Sequence, residues 1–278
     1  MKRSRHEVIR YPASRVGTID LGLFALRKHH IAGLLEIDVT DAIAEVRRRK
    51  AEGRPVSFFS WIVKAISGAI EENRYVHALK GRGNTTVVFD DVDISVMVEK
   101  VVDGVRVPLP LLIRGTNAKT VEEIHAEIQA AQRLRVKDES DYVLSNGSPS
   151  RLAMRLYYAL PQPVRLFLLR TMLRSPHRSK AMMGTAIITS AGAAGHLAAW
   201  VIPRSMHNLC FALGSIAKKP WVVSNSVEVR DILHLTVLVN HDVVDGVPAA
   251  RFIARLADRL QSPGGRGPRE LRPGAAAG

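Results

Sequence analysis

Three apolar runs in the last third of the chain, Thr185–Ser190, Leu209–Ile216 and Ile232–Val239, set the strongest limit on its fold. Runs of this length and composition read as strands of a sheet covered by other elements. Helical covers are signalled in between. Ser57 precedes Phe58, Trp61, Ile62, Ala65, Ile66, Ala69 and Ile70, which fall three and four apart and line one helical face, with Ser57 as the cap. Thr40 is predicted to cap a helix through Arg49, and another runs from Val121 to about Leu134, pairing Ile124 with Ile128. Ile94, Val96 and Val98 alternate as in a strand. Asp103-Gly104 then turns the chain toward Val105–Leu109 as a hairpin, and Pro108 and Pro110 place that segment at an edge or a strand end. A last helix starts near Pro248 and buries Ala249, Phe252, Ile253, Leu256 and Leu260.

With 278 residues, 46% of them apolar, the chain can fill the core of one large domain or two small ones, which excludes disorder throughout. No apolar run reaches the roughly 18 residues of a transmembrane helix, and the start lacks the pattern of a secretory signal, so a cytoplasmic protein is expected. The single cysteine, Cys210, lies in an apolar stretch and reads as buried filler; neither a disulfide nor a metal site is expected. The net charge of +14 is concentrated. Residues 1–15 hold five basic residues and one acidic, residues 151–180 seven basic and none acidic, and residues 262–278 three and one. The body of the chain is therefore near neutral, which weakens a nucleic-acid reading.

Residues 133–182 break the rhythm of strands and helices. Arg151–Leu160 and Val164–Arg174 are basic-apolar segments split by Pro161 and Pro163, and the stretch reads as a basic helical insertion. It suits packing on the domain or on a neighbouring subunit, or contact with an anionic membrane or substrate through 151–180. Beyond Gln261, Pro, Gly, Arg and Ala dominate, and residues 262–278 read as a disordered tail.

The chemistry is concentrated in Asn240-His241-Asp242-Val243-Val244-Asp245-Gly246, where an apolar strand ends and a helix is about to begin. A loop on a rigid element can hold a histidine as a base near neutral pH. The segment resembles the His-x-x-x-Asp-Gly motif of chloramphenicol acetyltransferases and of the catalytic domains of dihydrolipoamide acyltransferases. Its flank Ala249-Ala250-Arg251-Phe252 is similar to the 2-oxoacid dehydrogenase branch. Glu36-Ile37-Asp38-Val39-Thr40, the Ser57–Ala69 helix, Val96–Pro108 and Gly184-Thr185 recur in the family's order.

The resemblance covers roughly residues 12–132 and 183–261, and assigns residues 1–132 and 183–261 to one catalytic domain. It implies an α/β fold, a two-layer chloramphenicol acetyltransferase-like sandwich with a mixed sheet. It also implies a coenzyme A-dependent acyltransferase in which His241 deprotonates a thiol of coenzyme A or of a lipoyl group on another chain. Thr189, 52 residues before His241, is similar in position to the hydroxyl that steadies the tetrahedral oxyanion, with Ser190 as a second candidate. Asp245 resembles the aspartate that anchors the histidine loop through an arginine, here Arg15, and Gly246 is expected to hold a conformation that a side chain would oppose. Acyl-CoA is the implied substrate. The implied state is a homotrimer, extending to larger assemblies, with base and oxyanion donor on different subunits.

Asn240 and Asp242 depart from the aspartate and arginine that commonly flank this histidine. The chain also shows no lipoyl domain, no partner-binding domain and no long linkers. A trimeric scaffold without catalysis is the alternative reading.

Overall fold

The computed structural model describes residues 7–8, 13–102, 105–134, 151–190 and 198–262. In chain order the elements are α1 (Ala13–Ala25), β1 (His30–Asp38), α2 (Thr40–Ala51), α3 (Phe58–Glu72), a 3-10 turn (Arg74–His77) and the short strands β2 (Leu79–Lys80) and β3 (Thr86–Val87). They continue as β4 (Ile94–Val102), β5 (Val105–Ile113), α4 (Val121–Arg133), α5 (Arg151–Ala159), α6 (Gln162–Leu173), α7 (Pro176–Met183), β6 (Ala186–Ser190), β7 (Leu209–Val223), β8 (Ser226–Asn240) and α8 (Gly246–Gln261).

Six strands form one mixed sheet in the order β1-β8-β7-β6-β4-β5. The β4/β6 and β6/β7 pairs are parallel and the rest antiparallel. This is the expected two-layer α/β architecture. Leu233, Leu235, Val237 and Val239 of β8, with Leu209, Phe211 and Leu213 of β7, meet Trp61, Ile66 and Ile70 of α3 and Phe252, Leu256 and Leu260 of α8 in one buried cluster. Period-2 alternation sends Cys210, Ala212, Thr236 and Leu238 to the other face, and they are buried there too. Residues on that side include Trp200, whose indole N–H donates to the Leu35 carbonyl at 2.9 Å and whose ring meets His234 edge-on. Cys210 is 1% exposed, and burial pushes its thiol up to about 12.

Local signals and structure agree at several points. Ser57 caps α3 in a reciprocal capping box with Ser60, and Thr120 does the same for α4 with Glu123. β5 lies at the sheet edge, where Pro108 and Pro110 leave no central ladder short of a donor. Val102 pairs with Val105, so β4 and β5 form the expected hairpin; its Asp103-Gly104 tip lies outside the described residues, as do residues 263–278 of the expected tail. Thr40 is a correction. It is the first residue of α2 rather than its cap, and its hydroxyl donates to Asp38 Oδ1 at 2.6 Å while accepting from the Asp231 N–H at 2.7 Å. That hydroxyl latches the β1–α2 corner to β8, so it is unavailable to the helix amides. Strands β7 and β8 each span 15 residues, longer than their apolar runs, because beyond the Leu213/Ile216 bulge they continue as a two-stranded ribbon. Ser224 and Asn225 turn its tip, both with positive φ.

Helix α1 has no counterpart among the sequence expectations. It packs on α5 and α6, and the contact is held by a charge pair: Arg165 Nε donates to Asp20 Oδ2 at 2.7 Å, and Tyr157 and Gln162 also donate to that carboxylate. Asp20 is fully buried and Arg165 nearly so. Burial raises the Asp20 carboxyl, but the hydrogen bonds from Arg165 and Gln162 and the Arg165 charge outweigh it and hold it below the ordinary carboxylate value. In the segment expected to be helical, the described residues form α5, α6 and α7, of which α5 and α6 pack on the chain's own first helix.

Two predictions follow from buried polar groups. Asp20→Asn leaves the Arg165 charge buried without a partner and lowers urea-unfolding stability by about 3 kcal/mol, whereas Asp20→Leu combined with Arg165→Met recovers most of it. His77 and His207 are both buried and pushed down to about 4, chiefly by desolvation. Unfolding lets both rings protonate near the ordinary value of 6.5, so stability in a pH series falls from about 6.5 to about 4. Asp20 and Asp38, held low by their partners, add a second loss as pH falls below the ordinary carboxylate value of 3.8.

Candidate active site

Asn240 ends β8 with its side chain 1% exposed, and a buried amide must be hydrogen-bonded to be tolerated. Its Nδ2 donates to Asn208 Oδ1 at 3.0 Å, and its backbone N–H donates to the Asn208 carbonyl at 2.8 Å. Asn208 in turn donates to the Ala78 carbonyl and accepts from Lys28 Nζ, both at 2.7 Å. This network fixes the end of β8 against the starts of β7 and β1. The His241 N–H then donates to the His29 carbonyl at 2.8 Å, and Val243 and Val244 N–H both return to the Asn240 carbonyl, closing a tight turn into α8.

The His241 side chain emerges from this turn exposed. Its backbone is tied down, while its ring makes no hydrogen bond among the described residues. The ring is thus presented to solvent by a turn whose backbone is tied down. Asp242 Oδ1 lies 2.7 Å from His29 Nδ1, and the His29 contact is the main reason its carboxyl lies below the ordinary range. Lys28 is lowered mainly by burial, with Asp242 pulling the other way. His30 Nε2 donates to the His207 carbonyl, and His207 Nε2 donates to the Met183 carbonyl, both at 2.9 Å. Sequence reasoning missed Lys28, His29 and Asn208. The only signal was that Asn208 and Asn240 bound apolar runs that pair with each other.

Thr189 lies near the far end of β6, half-buried, beside Ala212 of β7, which faces Thr236 of β8. Its hydroxyl makes no hydrogen bond among the described residues, so the donor is uncommitted. Ser190 likewise makes no side-chain hydrogen bond among the described residues but points to the opposite face of the strand, because successive side chains alternate. Thr189 and His241 do not meet within one chain. From Thr236, level with Thr189, to His241 is five residues of strand, about 17 Å, in addition to two interstrand spacings.

Asp245 stands at the N-cap of α8, exposed, with no side-chain cap bond. Arg15 is exposed too, and the expected ion pair between them does not form within the chain. The reason is geometric. The end of α1 leads to the His241 turn, but Arg15 lies ten residues back along that helix, about 15 Å away. Gly246 is a further correction: its φ is not positive, and a Cβ built there meets nothing within 4 Å. The conformationally demanding glycine is Gly184, between α7 and β6, with φ 76° and a Cβ position 2.6 Å from the Asp93 carbonyl oxygen. Among the described residues no group of three or more His, Cys, Asp or Glu side chains is placed to hold a metal ion.

The family model for 2-oxoacid dehydrogenases acyltransferase (catalytic domain) matches residues 27–140 and 173–265. The lipoamide acyltransferase component of the branched-chain alpha-keto acid dehydrogenase complex of Bacillus subtilis (strain 168) is 24% identical over 271 residues, covering 91% of this chain and 54% of that protein. This chain thus spans about half the length of that relative. A dihydrolipoyllysine-residue acetyltransferase component of the pyruvate dehydrogenase complex of Acholeplasma laidlawii is 32% identical over 80 residues, 29% of this chain and 15% of that one. Among solved structures, the cubic core of a pyruvate dehydrogenase multienzyme complex has the same fold, with a TM-score of 0.65 at 19% identity over 92% of both chains. An Azotobacter vinelandii dihydrolipoamide acetyltransferase has a TM-score of 0.64 at 20% identity, again over 92% of both chains. With the matched blocks taking in β1 to α4 and α7 to α8, the His241 turn included, the chain belongs to the 2-oxoacid dehydrogenases acyltransferase (catalytic domain) family.

Proposed function

We propose that the protein transfers acyl groups between coenzyme A and an acceptor thiol such as a dihydrolipoyl group, at a site shared between copies of the chain. The carrying observation is that His241 and Thr189 each present a side chain with no hydrogen bond among the described residues, too far apart in one copy to act on the same carbonyl. A homotrimer, in which His241 of one copy faces the Thr189 hydroxyl of a neighbouring copy, brings the two together. The family supports this reading. In the Azotobacter vinelandii enzyme, a serine, a histidine and an asparagine were investigated for their role in the catalytic mechanism; the serine precedes the histidine by 52 residues and the asparagine follows it by four. Thr189, His241 and Asp245 keep both spacings.

The His241 imidazole accepts the proton of the attacking thiol, and the thiolate adds to the acyl thioester carbonyl carbon. The carbonyl π pair moves to oxygen, and the Thr189 hydroxyl donates to that oxyanion. Collapse of the intermediate breaks the original C–S bond, and the departing thiolate takes the proton back from His241. One thioester replaces another, with no oxidant and no metal in the balance. Asp242 and the Asn208–Asn240 pair act on this chemistry by fixing the turn that carries His241.

Thiol release from a panel of acyl-coenzyme A donors with dihydrolipoamide tests the reading. His241→Ala lowers kcat by about a thousandfold or more. Thr189→Ala lowers it by about a hundredfold to a thousandfold, while Thr189→Ser stays close to the parent. Co-assembly of His241→Ala with Thr189→Ala subunits restores part of the activity, because some interfaces then pair an intact His241 with an intact Thr189. No release from a folded trimer overturns the reading and favours a scaffold, whereas no restoration on co-assembly overturns the shared site. A monomer at working concentration does the same.

A further inference from the structure

Residues 1–26 and 141–172 lie outside the family match, and the structure packs described parts of both against each other, α1 on α5 and α6. The charge of the unit formed by α1, α5 and α6 is one-sided. Between Glu7 and Glu36 the only acidic residue is Asp20, and between Asp141 and Glu228 there is none. Asp20 is consumed inside the unit by Arg165, so its described outer surface carries cations without counter-charges.

That surface is also apolar. On α6, Phe167, Arg170, Thr171 and Arg174 follow one another at three-, four- and seven-residue spacing on the face opposite the buried Arg165 and Leu169. Phe167 is 68% exposed. On α5, Leu152, Arg155 and Leu156 form a similar outer face, with Leu152 68% and Leu156 60% exposed. Large apolar side chains held open between arginines fit a boundary where hydrocarbon lies beneath anionic headgroups. Among the described residues no helix is long and apolar enough to cross a bilayer, so contact of this kind lies along the surface.

We propose that the unit built from α1, α5 and α6 docks the protein on an anionic membrane surface. Phe167, Leu152 and Leu156 enter the headgroup boundary, and Arg155, Arg170 and Arg174 pair with lipid phosphates. This goes beyond acyl transfer and does not depend on it.

Co-sedimentation of the full chain with phosphatidylcholine vesicles, with and without phosphatidylglycerol, tests it. Binding is expected only with phosphatidylglycerol and falls steeply with added salt. Arg170→Gln with Arg174→Gln weakens it about 30-fold, the equivalent of about 1 kcal/mol for each basic side chain near an anionic surface. Phe167→Ser with Leu156→Ser weakens it at least about tenfold. All four positions are exposed and leave the Asp20–Arg165 pair intact, so the thermal midpoint stays unchanged. Absence of binding to phosphatidylglycerol vesicles, equal binding to neutral ones, or unaltered affinity in the variants overturns the proposal. So does a change in oligomeric state in the Phe167 and Leu156 variant, which assigns the face to contacts between copies.

Discussion

The antiparallel ladder between β7 and β8 is the constraint on which the rest of the structure depends. Its central residues are buried on both faces, so it must be flanked by strands and roofed by helices before its backbone and side chains are both satisfied. β1 completes one flank and β6 the other, and α3 and α8 close the helical face. The same ladder fixes the separation of the two chemical groups. Thr189 is set by the register of β6 on β7, and His241 by the end of β8. Residues that build the core therefore also keep Thr189 and His241 apart within a single chain.

Much of this was legible from local pattern. The α3 face, the α4 and α8 helices, the β4–β5 hairpin and its edge position all follow from spacing and from the chemistry of Ser, Gly and Pro, which act over a few residues. The His241 turn was legible through its resemblance to a known motif. What was not legible depends on partners far apart in sequence. Asp20 looks like an ordinary surface acid until the chain folds and Arg165, 145 residues away, closes on it. Thr40 looks like a helix cap because its competing partner, the Asp231 amide, lies 191 residues on. Gly246 looks conformationally special because it sits in a recognised motif, yet the strained position belongs to Gly184, where the backbone of another strand presses close.

The His241 turn also shows how a departure from a familiar pattern can be absorbed. Asn240 turns inward to Asn208, and Asp242 turns outward to His29. The first contact reaches the start of β7 and the second the segment before β1, so the residues flanking the histidine hold its loop to the strands on both sides. The amide pair holds the turn with neutral groups, whereas the second contact sets the Asp242 carboxylate 2.7 Å from the His29 ring.

Cys210 has a further consequence for a protein of this family. An accessible thiolate is open to acylation by thioesters and to mixed-disulfide formation with other thiols. Cys210 is sealed within the sheet and held protonated up to about 12. As the chain's only cysteine, it leaves the folded protein without an accessible thiolate.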